Sequence, residues 1–264
     1  MAGAGLYIHI PFCRAKCSYC DFPSYAGLQD LYADYVDALC GEVPGCAAVW
    51  SGLCFDTIYV GGGTPTVLPP SQPARVLATC RRELKVRNDA EVTVEANPGT
   101  VDLGDLMALR QAGVNRLSLG VQSLHDGELA LLGRIHDANQ AISVCRMARE
   151  AGFDNLNLDL IFGLPSRALK SWQGTLRRAL DLAPEHLSLY ALSVEEGTPL
   201  AERIAQGALP PPDDDLAADM YELAEAMLAR AGYVHYEISN WARVAGYEDG
   251  AQGPPALASR HNLK

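Results

Sequence analysis

The chain has 264 residues, of which 48% are hydrophobic, and carries a formal net charge of −11 with a pI of about 4.9. This length suits one α/β barrel, whereas the acidic balance disfavours a general nucleic-acid binder, which needs clustered Lys and Arg for phosphate contacts. No run approaches the roughly 18 apolar residues of a membrane span, and residues 6–12 are too short for a secretory signal, so we expect a soluble, cytoplasmic protein.

Short apolar segments alternate with longer segments of helical periodicity along the chain. The predicted strands cover residues 6–10, 55–60, 91–95, 116–121, 155–162, 186–192 and 234–238. The predicted helices cover residues 30–40, 71–84, 103–111, 138–151, 170–182 and 214–231. This alternation predicts an α/β fold with a parallel sheet and outer helices. Periodicity alone leaves two solutions open, a partial open barrel and a doubly wound open sheet.

The last part of the chain breaks this pattern. Residues 244–259 are rich in Gly, Ala and Pro, a composition typical of a loop or linker. We therefore expect a barrel domain over residues 1–243 and a linker with a truncated tail over residues 244–264. The end at Lys264, directly after a linker, suggests that a further segment is missing.

Three cysteines follow the first predicted strand: Cys13, Cys17 and Cys20, with the spacing C-x3-C-x2-C. Thiolates are soft ligands that suit iron–sulfur clusters or zinc. Three of them leave one position open, whereas a structural zinc site takes four ligands. His9 is a poor fourth ligand because strand alternation places it on one face with Tyr7. The triad thus predicts a cluster with one open iron, and three unrelated reduced cysteines are the alternative.

The other five cysteines lack cluster spacing. In a cytoplasmic protein such residues are reduced rather than paired in disulfides, and free cysteine is often a small buried hydrophobe. We assign that role to Cys40, Cys46, Cys54, Cys80 and Cys145.

Three consecutive glycines, Gly61, Gly62 and Gly63, follow the second predicted strand and precede Thr64 and Pro65. Glycines at a strand end let a ligand approach the backbone closely. In α/β folds ligands bind at the carboxyl ends of the strands. The turn therefore predicts part of a binding site, and a tight βα turn without a ligand is the alternative.

These segments, with others downstream, resemble the radical S-adenosylmethionine (SAM) superfamily and, within it, the oxygen-independent coproporphyrinogen III oxidase (HemN) group. The resemblance runs in order over nearly the whole chain and implies a partial (β/α)6 barrel. The segments that carry it include Tyr-Ile-His-Ile-Pro-Phe-Cys, the triad, Gly-Gly-Gly-Thr-Pro, Glu-Ala-Asn-Pro, Arg-Leu-Ser-Leu-Gly-Val-Gln-Ser, Leu-Gly-Arg-Ile-His and Leu-Asp-Leu-Ile-Phe-Gly-Leu-Pro.

The resemblance implies a [4Fe–4S] cluster on Cys13, Cys17 and Cys20, with SAM on the open iron. The reduced cluster would pass one electron to the sulfonium of SAM, giving methionine and a 5′-deoxyadenosyl radical, while the protein orients the cofactor and excludes water. A reductant such as flavodoxin or ferredoxin is implied as a partner. The positions implied to contact SAM, the cluster or a second ligand are Tyr7, Tyr19, Gly62, Gly63, Thr64, Glu95, Gln122, Arg134 and Asp159.

Each of these assignments has an alternative. Arg134 can bind a carboxylate through two N–H groups, and Asp159 can accept hydrogen bonds from hydroxyls or an ammonium group. Either residue could instead belong to a structural ion pair. Gln122 could be a satisfied core amide.

Two classes of function fit the group. One is an oxidase that decarboxylates the propionates of coproporphyrinogen III, and the other is a HemW-type haem chaperone that passes haem to a receiving protein. The oxidases usually carry a further cysteine two positions after the triad, where this chain has Phe22. We therefore favour the haem-chaperone branch and leave open whether the chain is an enzyme. The acidic balance disfavours the radical SAM enzymes that modify RNA.

The chain ends with a partial match to a haem-associated motif. HemW-like chains carry His-Asn-x-x-Tyr-Trp, and here His261 and Asn262 are followed by the end at Lys264. A neutral imidazole on His261 can ligate haem iron. The alternative is a histidine on a tail without fixed structure.

Overall fold

The structure, a computed structural model, describes residues 3–244 and 258–263. Its strands are β1 (Ala4–Ile10), β2 (Phe12–Cys13), β3 (Tyr25–Ala26), β4 (Phe55–Gly62), β5 (Val86–Ala96), β6 (Arg116–Gln122), β7 (Leu156–Phe162), β8 (His186–Ala191), β9 (Tyr233–Glu237) and β10 (Asn240–Arg243). Its helices are α1 (Tyr32–Val49), α2 (Ser71–Glu83), α3 (Leu103–Gln111), α4 (Asp126–Leu131), α5 (Ala138–Glu150), α6 (Leu169–Asp181), α7 (Pro199–Ala205) and α8 (Asp214–Arg230).

The main sheet has eight strands in the order β1-β4-β5-β6-β7-β8-β10-β9. In this order, neighbouring strands pair in parallel from β1 through β4, β5, β6 and β7 to β8. The strands β10 and β9 then extend the sheet in antiparallel fashion. A doubly wound sheet reverses its strand order at a switch point, whereas here the parallel strands follow chain order throughout. The partial six-unit barrel is therefore confirmed, and the short strands β2 and β3 pair separately beside it.

Strand alternation separates an apolar outer face from a polar inner face. In β4, Ile58 and Val60 are almost fully buried in the core beneath the helices. The intervening Thr57 and Tyr59 point inward, where Tyr59 bonds Glu95 of the neighbouring strand. The barrel interior is therefore polar, as expected if its centre binds polar ligands rather than serving as the hydrophobic core.

The hydrophobic core lies between the sheet and the helices, in two main clusters. One packs α1, α2 and α3 onto the first strands and includes Leu77 and Leu106. The other packs α5, α6 and α8 onto the later strands and includes Leu176 and Met220. Burial of these apolar side chains is the main force that holds the helices on the sheet.

Two helices begin at capping boxes, where the N-cap side chain and the residue three positions later satisfy each other's backbone N–H groups. Asp102 and Asp105 form one at the start of α3, and Asp137 and Gln140 form the other at the start of α5. These caps explain why the predicted starts of both helices agree with the structure.

The predicted strands and helices are all present, with ends shifted by a few residues or, at the end of α1, by about two and a half turns. The elements that were not predicted are β2, β3, α4, α7 and β10, which are too short to show a period. The predicted linker and tail over residues 244–264 lie largely outside the described residues. Within that range, residues 258–263 pack against the barrel, with Ala258 and Ser259 buried. In the described ranges no helix is long and apolar enough to cross a membrane.

Candidate functional site

A cavity of about 430 Å³ lies at the carboxyl ends of the parallel strands. Its size falls within the range of small-molecule sites, about 300–1,000 Å³. All predicted site residues except Tyr7 and His261 line it: Cys13, Cys17, Cys20, Tyr19, Gly62, Gly63, Thr64, Glu95, Gln122, Arg134 and Asp159. Residues that lie far apart in the sequence are thus brought to one place.

The cysteine loop is held to the barrel by contacts on both sides. Its Ser18 donates through the backbone N–H to the Leu132 carbonyl (3.0 Å) and through its hydroxyl to the Leu131 carbonyl (2.8 Å). The Cys17 thiol accepts from Nη1 of Arg134 at 3.2 Å, and the Cys13 thiol lies 3.5 Å from the Thr64 hydroxyl. These contacts fix the positions of Cys13 and Cys17 on the barrel.

The donor set fits an iron–sulfur cluster. Three soft thiol groups face one cavity beside the cationic Arg134. Burial raises the pKa of Cys20, and the neighbouring Cys17 and Cys13 add to this effect. A bound metal would relieve that cost, because ligation deprotonates a thiol. Within the described ranges, no group of three or more His, Cys, Asp or Glu side chains is arranged around a single metal ion.

The close approach of the cysteine loop requires glycine in the turn that follows β4. A Cβ on Gly63 would lie 2.5 Å from the Phe12 carbonyl oxygen, and Gly62 has a φ of +113°. The N–H groups of Gly62, Gly63 and Thr64 donate to Glu95, to the Ile10 carbonyl and to the Phe12 carbonyl. Because these N–H groups are already engaged, the turn would contact a ligand through oxygen atoms.

Glu95 lies at the wall of the cavity and is held by two donors. The Tyr59 hydroxyl donates to Oε1 at 2.8 Å, and the Gly62 N–H donates to Oε2 at 3.1 Å. Burial, reinforced by the nearby Asp159 carboxyl, raises the pKa of Glu95 to about 7. An incoming cationic group would favour the ionised form of this carboxyl.

Asp159 is a second carboxyl at the cavity, and burial raises its pKa as well. It accepts from the Ser118 hydroxyl (3.0 Å) and from Nδ2 of Asn157 (2.7 Å). Arg116, only 2% exposed, lies on the same inner face of the barrel, and its Nε has no hydrogen-bond partner. The guanidinium of Arg116 lowers the pKa of Asp159 but offsets only part of the effect of burial.

Arg134 and Gln122 also line the cavity. Arg134 donates from Nη2 to the Gly120 carbonyl at 2.6 Å, and its buried Nε has no partner. Gln122, a non-glycine residue, has a φ of +63°, a strained conformation that is common at binding sites. In the described part of the chain neither Arg134 nor Asp159 forms an ion pair, so the structural ion-pair alternative is not supported.

The Radical SAM superfamily model matches residues 7–179, which contain the cysteine triad, the glycine turn and both cavity carboxyls. The chain belongs to the radical SAM superfamily. Among curated proteins, it is 42% identical to the haem chaperone HemW of Escherichia coli, over 98% of this chain and 65% of the relative. It is 40% identical to radical S-adenosyl methionine domain-containing protein 1, mitochondrial, of Mus musculus, over 91% of this chain and 54% of the relative.

Among solved structures, this radical SAM chain is similar to coproporphyrinogen III oxidase (HemN) from Escherichia coli. The TM-score is 0.82 at 32% identity, over 90% of this chain and 55% of that one. This similarity confirms the fold expected from the sequence. The chain spans between about half and two thirds of the length of these relatives.

Tyr7 and His261 lie outside the cavity lining. Tyr7 is half exposed and its hydroxyl contacts Nδ1 of His9 at 3.0 Å. His261 lies near the amino-terminal end of the barrel, where its Nδ1 is 2.9 Å from the Thr57 hydroxyl and its ring is 5.1 Å from the ring of Tyr59. The roles implied for these two residues stay predictions.

Several residues at or beneath the site were not singled out from the sequence. They are Tyr59, Arg116, Ser118, Asn157 and His186, all polar and all on inward positions of the strands. The available signal was the period-two recurrence of polar residues within otherwise apolar strands.

Proposed function

We propose that this chain is a HemW-like radical SAM protein of porphyrin and haem metabolism, with a [4Fe–4S] cluster on Cys13, Cys17 and Cys20 and SAM in the adjoining cavity. The observation that carries the proposal is the shared cavity of the three thiols, the glycine turn and two desolvated carboxyls. Carboxyls at such a site favour a cationic ligand, and SAM carries a sulfonium and an ammonium group.

The residues of the chain have distinct roles in this proposal. Glu95 accepts from the ammonium group of SAM, while oxygen atoms of the glycine turn and Thr64 complete its surroundings. Arg134 offsets the charge of the Cys17 thiolate, and Tyr19, within the cysteine loop, packs against the apolar cluster that includes Leu131 and Leu132. When bound, the reduced cluster supplies one electron to the sulfonium of SAM.

Anaerobic reconstitution tests the cluster. We expect about four irons per chain in the wild type and loss of that iron, with its visible absorption, in the triple variant C13A/C17A/C20A. The matched control is C40A/C46A/C54A, which removes three cysteines that do not line the cavity and should retain the iron. Equal iron content in the two variants would contradict the proposal.

We infer haem handling, rather than coproporphyrinogen oxidation, from the similarity to HemW and from Phe22. This side chain lines the cavity and is 63% exposed, at the position where the oxidases usually carry a further cysteine. Among the described residues no histidine lines the cavity, so the site offers no imidazole for haem iron. Haem binding is therefore proposed for the whole protein without an assigned ligand, together with a reductant and a haem-receiving protein as partners.

Haem titration followed by visible spectroscopy tests this part. Tight binding without decarboxylation of coproporphyrinogen is expected, and formation of protoporphyrinogen with SAM and reductant would instead establish the oxidase. A His261→Ala variant with an unchanged haem spectrum would show that His261 is not the ligand.

A further inference from the structure

Residues 259–262 form a turn, here called the floor turn, at the end of the barrel opposite the cavity. It lies against Thr57 of β4 and Glu91 of β5, which are register partners on the inner face. Ser259 is fully buried there. Residues of the predicted linker and tail thus enter the polar interior of the barrel.

Glu91 receives the floor turn through several hydrogen bonds. Its Oε1 accepts from the Ser259 hydroxyl (3.3 Å) and the His261 N–H (3.2 Å), and its Oε2 accepts from the Arg260 N–H (3.0 Å). The Ser259 hydroxyl in turn accepts from the Asn262 N–H at 3.3 Å. Glu91 is only 6% exposed, and a buried carboxyl without these donors would be costly. The contact is therefore specific for this turn.

Two connections run from the floor turn to the cavity. In the first, the His261 ring packs on Tyr59, whose hydroxyl donates to Glu95. In the second, the Ser259 N–H donates to the Tyr236 hydroxyl at 3.2 Å, and that hydroxyl lies 2.6 Å from Nε2 of His186.

The second connection continues to Asp159. Nδ1 of His186 is 2.6 Å from Oδ1 of Asn157, whose Nδ2 donates to Asp159. Burial lowers the pKa of His186 well below its usual value, so a neutral ring donates from Nδ1 to Asn157 and accepts at Nε2 from Tyr236. Because an amide side chain does not pass protons on, this connection orients side chains and does not conduct protons.

We propose that the floor turn is a positioning element, which holds Tyr59 and Tyr236 in place and through them sets the orientation of Glu95 and Asp159 in the cavity. Docking of the turn and its effect on the two carboxyls are independent of the proposed function. In this arrangement His261 lies in the barrel floor, in contact with Thr57 and Tyr59.

Amide hydrogen exchange in the full chain tests the docking. In Glu91→Gln, exchange of the Arg260 and His261 amides should accelerate by about tenfold or more, because the Gln side chain offers the donors of the turn one acceptor oxygen in place of two. The control is Glu196→Gln, the same substitution on an exposed side chain outside the floor turn. Unchanged exchange in Glu91→Gln, or equal acceleration in the control, would overturn the proposal.

The nitrogen NMR signals of His186 test the positioning. The wild type should show the Nδ1–H tautomer, and the Nε2 signal should shift in Tyr236→Phe, which removes only the hydroxyl, and also in Glu91→Gln, which does not touch His186. If the turn only stabilised the fold, the Nε2 signal of His186 would be unchanged in Glu91→Gln, and that result would overturn the positioning role. Failure of the wild type to bind SAM would contradict the proposed function, while both of these measurements would still decide the inference.

Discussion

Glu95 is a carboxyl that the ligand-free protein can ionise only at a cost in free energy. Burial, together with the neighbouring Asp159, raises its pKa from an ordinary 4.5 to about 7, although Tyr59 and Gly62 donate hydrogen bonds to it. Glu95→Gln keeps the size of the side chain and removes its titration. We predict that this substitution changes the pH dependence of stability in a defined direction.

The sign follows from proton binding in the two states. Between pH 4.5 and pH 7 the folded chain holds a proton on Glu95 that the unfolded chain has released, so the free energy of unfolding falls as pH rises through this window. A pKa difference of about 2.5 corresponds to about 3 kcal/mol, at 1.36 kcal/mol for each pKa unit. Relative to Glu95→Gln, the wild type should therefore lose about 3 kcal/mol of stability between pH 4.5 and pH 8.

Urea unfolding of the ligand-free protein under anaerobic, reducing conditions at pH 4.5 and pH 8 measures this effect. The Gln side chain cannot replace one hydrogen bond of Glu95. This loss lowers the stability of the variant by a similar amount at both pH values, so it cancels in the comparison. Glu196→Gln, a change on an exposed side chain, serves as the control and should track the wild type. The raised pKa of Glu95 would be contradicted if the difference in free energy of unfolding between wild type and Glu95→Gln is the same at both pH values. A difference that grows in favour of the wild type as pH rises would contradict it as well.

Three further predictions concern the site and the fold. The SAM affinity of the wild type should rise about tenfold between pH 6 and pH 8, as Glu95 ionises, and calorimetric titration should show no such rise in Glu95→Gln; a persisting slope would contradict the role of this residue. Tyr59→Phe removes a hydrogen bond that stabilises ionised Glu95, so SAM binding at pH 7 should weaken about three- to tenfold, and equal affinity would exclude Tyr59 as a positioning residue. Asp102→Ala removes the N-cap of α3 and should lower the free energy of unfolding by about 1 kcal/mol in urea denaturation, whereas Asp154→Ala on an exposed loop should change it little.

Much of the fold could be predicted because its signals are local. Apolar runs such as that of β4 and helical periods such as that of α8 lie within short stretches of chain, where backbone geometry translates spacing directly into structure. The order of the strands in the sheet is not determined by local sequence. The choice between a partial barrel and a doubly wound sheet depends on which strands pair, and only the resemblance to a family, later confirmed by the fold, favoured the barrel.

The residues of the site likewise divide into those with a local sequence signal and those without one. The cysteine triad and the glycine turn carry recognisable spacing, and both lie at the cavity where they were expected. Arg116 lies in a segment that carries the family resemblance and His186 does not, but neither was assigned a role from the sequence. Their importance comes from inward positions on different strands that meet only after the sheet has curved. The pKa of Glu95 likewise depends on burial and on the approach of Asp159, which are properties of the assembled barrel.

The alternation of strands and helices, the soft-ligand triad and the glycine turn can be recognised in the amino-acid sequence, because each is a pattern of neighbouring residues. The curvature that gathers these motifs around one cavity, and the place of residues 259–262 in the barrel floor, depend on the tertiary structure. No pattern of neighbouring residues indicates that docking, because it arises from the buried carboxyl of Glu91, far away in the sequence, which accepts three donors of the turn.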